Sequence, residues 1–207
     1  MAQLSKPSPL KLRKTPRQSR SAETVASILE AAAQVLEKEG FEGFNTNAVA
    51  RRAGVSIGSL YQYFPAKDAL TLALLRREDE QFMADAAAAL DEPSGEAAIN
   101  SLIAACVRQQ LRRPVLARLL DIQESRPEFQ DGATGFSKVQ SVLLAIIRRG
   151  DMPKQARPEI AAGDVGAIIR GMVDAAGERG EKEAQDDLQR RVRAAVFGYL
   201  SGTAVNR

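Results

Sequence analysis

The chain has 207 residues, 44% of them hydrophobic and 27% charged, with a formal net charge of +3. It contains no histidine and a single cysteine, Cys106, which excludes His-anchored zinc sites, Ser-His and Cys-His dyads, an imidazole pH switch and an intrachain disulfide. The charge is unevenly spread: residues 1–67 hold ten Lys/Arg against five Asp/Glu, and residues 68–207 hold nineteen against twenty-one, a basic front on a near-neutral remainder that suits a nucleic-acid head on a different kind of body.

Aromatic residues make up 5% and tryptophan is absent, so the core is expected to be built from Leu, Ile, Val and Ala, which favours helices. No run approaches the ~18 apolar residues of a membrane span. The N-terminus lacks the apolar core of a signal peptide. With one cysteine, the expected location is a reducing cytoplasm.

Residues 1–20 hold Lys6, Lys11, Arg13, Lys14, Arg17 and Arg20, three prolines and no acid. That composition predicts a disordered basic arm, either a solubilising tail or, from Arg13 to Arg20, an arm that reaches into a minor groove. Ser21 to Glu39 are predicted as the first helix, with Ser21 as cap, Glu23 in the first turn and Gly40 as stop. Val25, Ile28, Leu29, Ala32 and Leu36 make its apolar stripe, and Phe41 and Phe44 after the glycine are read as core.

Residues 46–67 (TNAVARRAGVSIGSLYQYFPAK) read as two short helices around a tight turn. Thr46 is predicted to cap the first, which presents Val49, Ala50 and Ala53 on one face. Gly54 stands where the helix must stop in a left-handed conformation, Val55 fills the angle, and Ser56 caps the next helix, whose buried side is Leu60 and Phe64. Ala50, Gly54 and Leu60 have the relative spacing of a helix-turn-helix. The outward face is then Ile57, Gly58, Ser59, Gln62 and Tyr63, which fits a major groove. A plain structural αα-corner shares part of this pattern.

A fourth helix is predicted from Ala66 and Lys67 to about Leu90, led by Leu70, Leu74 and Leu75. Apolar periodicity marks five more. The fifth carries Ile99 to Leu111 and the sixth Val115 to Ile122. The seventh carries Val139 to Ile147, the eighth Val165 to Ala176 and the ninth Leu188 to Leu200. The expected fold class is all-α with about nine helices: a basic arm over 1–20, a DNA-binding domain over 21–67 and a helical domain over 68–207. Gly54 to Gly58 also match G-x-S-x-G, a hydrolase nucleophile elbow, but that motif needs a preceding strand and a histidine base. Ser56 is better read as a cap, and no P-loop, dinucleotide fingerprint or clustered metal ligands accompany it. The expectation is a protein that is not an enzyme and needs no cofactor or metal.

The run GVSIGSLYQYFPAKDAL resembles the TetR family of transcriptional repressors over roughly residues 21 to 70. The resemblance implies that the first three helices bind DNA, with Thr46, Tyr61 and Lys67 on phosphates. Ser56, Gly58, Ser59, Gln62 and Tyr63 would lie on or beside base edges, with Ile57 against a thymine methyl or packed. Gln62 is the natural adenine reader. Arg17 and Arg20 belong to the arm. Beyond about residue 75 the resemblance supports only a helical bundle that takes a small apolar or amphipathic inducer, with pocket residues unassigned. The last two helices are expected to pair across a homodimer, so that Val196→Glu on their stripe should break it; the alternative is that these stripes belong to the core of one chain. The alternative of a ligand-free architectural DNA-binding protein is disfavoured by the size of the body.

Overall fold

The computed structural model describes residues 19–124, 126, 129, 135–181 and 185–205; residues 1–18, Arg17 among them, lie outside these. The described residues form nine α-helices in the order α1 (Ser19–Gly43), α2 (Thr46–Ala53), α3 (Ile57–Tyr63), α4 (Lys67–Ala88), α5 (Gly95–Arg112), α6 (Pro114–Glu124), α7 (Gly135–Ile147), α8 (Pro158–Glu178) and α9 (Gln185–Gly202), with a 3-10 turn over Ala89–Asp91. Among them there is no strand, only an isolated bridge between Gln155 and Ala204. Among the described residues no helix is long and apolar enough to cross a membrane. The chain divides into two compact units, Met1–Glu78 with Leu119–Ser125, and Asp79–Arg118 with Arg126–Arg207.

In the first unit the stripe of α1 is buried as its spacing requires, with Ile28, Ala32 and Leu36 fully enclosed. The helix starts at Ser19, two residues before the expected cap, so Ser21 lies inside it. The polar run ahead of the apolar stripe continues the helix instead of capping it. Gly40 does break α1, at φ 63 and ψ −170, and a last turn follows to Gly43. Phe44 is buried, and Phe41 meets it edge to face at 6.3 Å.

The second unit is organised by one apolar cluster. Ile99, Leu102, Ile103 and Val107 of α5 pack with Leu143 and Ile146 of α7, Val165, Ile169 and Val173 of α8, and Leu188, Val192, Val196 and Leu200 of α9. These stripes of α8 and α9, expected to face a second copy, are the core of a single chain: Val196 is fully enclosed without any partner. A stripe shows that a helix face is buried but not which chain buries it. Polar ties close the unit. Ser94 Oγ accepts from Ala97 N at 3.1 Å, Asp151 Oδ2 accepts from Gly95 N at 2.7 Å, and Arg149 donates to the carbonyls of Glu92 and Leu90. Burial pushes the thiol of Cys106 up to about 12.

Candidate nucleic-acid interface

Helices of eight and seven residues are too short to persist alone, so α2 and α3 depend on their ends. The N-cap of α2 is Asn45, not Thr46. Asn45 has an extended backbone, and its Oδ1 accepts from Ala48 N at 2.9 Å while its Nδ2 donates to Gly43 O at 3.0 Å. Thr46 is thereby the first helical residue and its hydroxyl is released from capping. It lies 3.2 Å from the Tyr61 hydroxyl of α3, tying the start of one helix to the side of the next.

Gly54 takes the left-handed conformation expected of it, φ 68 and ψ 26, and its N–H returns to Ala50 and Arg51 carbonyls. Val55 N also bonds Ala50 O, at 3.1 Å, so the turn closes twice on one carbonyl. Ser56 caps α3: its Oγ accepts from Ser59 N at 3.0 Å and lies 2.8 Å from Ser59 Oγ. The G-x-S-x-G serine is therefore a helix cap.

Leu60 and Phe64 are fully buried, which fixes the opposite side of α3 outward. Gly58 and Gln62 are exposed, Ser59 and Tyr63 half-buried, and Ile57 and Tyr61 are among the exposed large apolar residues, at 37% and 42%. A Cβ built on Gly58 would meet only Ser56 Oγ, at 3.8 Å. No steric demand of the fold explains a glycine there.

Lys67, at the start of α4, is turned towards the end of α1. Its Nζ donates to Phe41 O at 2.9 Å and stands 5.9 and 5.5 Å from the centroids of Phe41 and Phe44, within cation–π range. The backbone of Arg20 belongs to α1, but its side chain lies outside the described residues, as does all of Arg17. Sequence reasoning missed Asn45, which stands beside an equally good capping residue. It also missed Gln34, whose Oε1 takes Arg52 Nε at 2.7 Å; nothing in the periodicity signals that pair.

Two short capped helices crossing at a left-handed glycine, with a largely polar face backed by two buried side chains, define a helix-turn-helix DNA-binding domain. Residues 28–74 match the family described as bacterial regulatory proteins, tetR family. A transcriptional repressor of Mycolicibacterium smegmatis, KstR, is 35% identical over 94 residues, 45% of this chain and 46% of that one. The match thus spans under half the length of this relative. The A-factor receptor protein of Streptomyces griseus is 26% identical across 92% of this chain and 83% of its own. The fatty acid degradation regulator FadR of Bacillus halodurans shares the fold, with a TM-score of 0.70 at 17% identity over 89% of this chain and 97% of its own.

Proposed function

We propose that the protein is a sequence-specific, dimeric DNA-binding repressor, released from its operator by a small apolar or amphipathic molecule. The observation that carries this reading is the outward face of α3, held by Leu60 and Phe64 beneath it. In this reading Thr46 and Tyr61, joined at 3.2 Å, hold one phosphate between them. Gln62 reads a base edge, Gly58 admits close approach, and Ile57, Ser59 and Tyr63 flank them. Ser56 positions the helix. Lys67 has ammonium hydrogens beyond the one given to Phe41, and reaches a phosphate with those. Arg17 and Arg20 enter the minor groove. The likeness to KstR, a repressor, and to the A-factor receptor supports repression and ligand response.

The second copy pairs through the outer faces of α8 and α9, whose inner faces are already used. Gly171, Gly198 and Gly202 are exposed, and a Cβ at any of them would meet nothing within 4 Å. Glycine inside a helix costs about 1 kcal/mol relative to Ala, so a close-packed neighbour is the natural reason for it. A protein of this kind acts in the cytoplasm and has no catalytic step.

Selecting operators from random duplexes and sizing the complex test the proposal together. The expected result is a two-fold-related site whose halves lie about 34–36 Å apart or a multiple of that, bound by two chains. Binding that is salt-dependent without sequence preference would mark an architectural protein instead. A monomer at micromolar concentration would exclude the dimer.

A further inference from the structure

The first unit also contains a continuous chain of polar side chains that the interface does not use. Arg52, in the last turn of α2, donates from Nε to Gln34 Oε1 of α1 at 2.7 Å. Gln34 donates from Nε2 to Glu30 Oε1, one turn earlier, at 3.0 Å. The second carboxylate oxygen of Glu30 lies 3.4 Å from Nη1 of Arg77 on α4. Arg77 is held in turn by Glu78 Oε1, at 3.0 Å from Nε and 2.6 Å from Nη2. Three helices are thus joined in one donor-to-acceptor sequence. Gln34 is its joint, because its amide oxygen serves Arg52 and its amide nitrogen serves Glu30. The reversed amide would set donor against donor and acceptor against acceptor, so the network itself fixes the orientation.

The burial pattern of α2 gives this chain its purpose. Its buried residues are Ala48, Val49 and Ala50, while Arg51 and Arg52 are exposed and Ala53 half-buried. Apolar burial has no directional preference. Here it seats the middle of α2, and the last turn, Arg51 to Ala53, has no fully buried side chain of its own. Hydrogen bonds lose strength steeply with angle, and Arg52 stands two residues before Gly54, through which the chain enters α3. The Arg52–Gln34 bond is exposed and adds little to global stability.

We propose that Gln34 is a positioning residue for α3, backed by Glu30 and Arg77, and that the relay passes a displacement of α4 at Arg77 to the C-terminal end of α2. The functional consequence rests on the DNA-binding reading above; the geometry does not.

Gln34→Leu cuts both links at once. Operator affinity should fall at least about fivefold, the lower end of what coupled sites show, with an unchanged salt slope because no phosphate contact is lost. Amides of residues 51–56 should exchange faster, and the melting temperature should stay close to that of the parent. Gln34→Glu keeps the acceptor for Arg52 and loses the donor to Glu30, and Gln34→Lys does the reverse. Each should give an intermediate loss. Arg77→Gln should cost little once Gln34→Leu is present, a non-additivity that separate surface contacts would not show. Parental operator affinity in Gln34→Leu, or unchanged exchange over 51–56, overturns the proposal. If the parent binds no operator, the DNA-binding reading falls, and the exchange comparison still decides the relay.

Discussion

In the first unit, helix ends and short polar links do most of the orienting: Asn45 caps α2, Ser56 caps α3, Thr46 meets Tyr61, and Lys67 meets Phe41. In the second, helices of 18 to 21 residues such as α5, α8 and α9 stack through one apolar cluster from Ala86 to Leu200. The contrast follows from helix length. A seven-residue helix has one turn of buried surface to offer, Leu60 alone in α3, so angle-dependent bonds must supply what area cannot. A long helix with a wide stripe finds its place by area alone, and a hydrogen bond more or less matters little to it. A surface that must match a groove is built by the first method, and a tolerant scaffold by the second.

The largest effect that would sharpen this contrast comes from Val196→Glu. A carboxylate at a fully enclosed position is an unpaired buried charge, expected to cost about 4 kcal/mol or more. Thermal melting should show the second unit unfolding first. If the variant instead melts like the parent and dissociates, Val196 faces another chain and the comparison breaks.

A smaller effect separates two neighbours. Asn45→Ala should destabilise by about 1 kcal/mol, the usual worth of an N-cap. Thr46→Ala should change stability by less than about 0.5 kcal/mol, as for a residue outside the cap, and reduce affinity for all DNA sequences alike. Chemical denaturation and band-shift titration read the two quantities separately, and reversed stabilities would return the cap to Thr46.

The smallest effect has the opposite sign. Gly58→Ala meets open space in the chain and should stabilise by up to about 1 kcal/mol through helix propensity, while operator binding weakens. Unaltered binding would show that the missing side chain leaves room for nothing.

The sequence made the turn legible because its determinants are local. Gly54, Ser56, Leu60 and Phe64 lie within eleven residues, the first two acting on backbone next to them and the last two on one face of a single helix. Helix count and the apolar stripes were legible for the same reason of period. Asn45 was not, because adjacent Asn and Thr are both good caps, and the choice is made by where the preceding turn ends: Val49 N bonds Asn45 O at 3.1 Å. The inward turn of Lys67 was not legible either, since its partner carbonyl is 26 residues away in sequence. The partner of the α8 and α9 stripes was misread because a period of 3.6 specifies a face and is silent about what covers it.

The lone thiol of Cys106, its proton held up to about 12 against an ordinary 9.0, gives the molecule a built-in clock. The thiolate is the reactive form, so raising the thiol's pKa slows its reaction with alkylating reagents while the unit is folded. Whenever the second unit opens, the same sulfur becomes an ordinary cysteine, and the rate of its capture counts the openings of that unit while leaving the DNA-facing unit untouched.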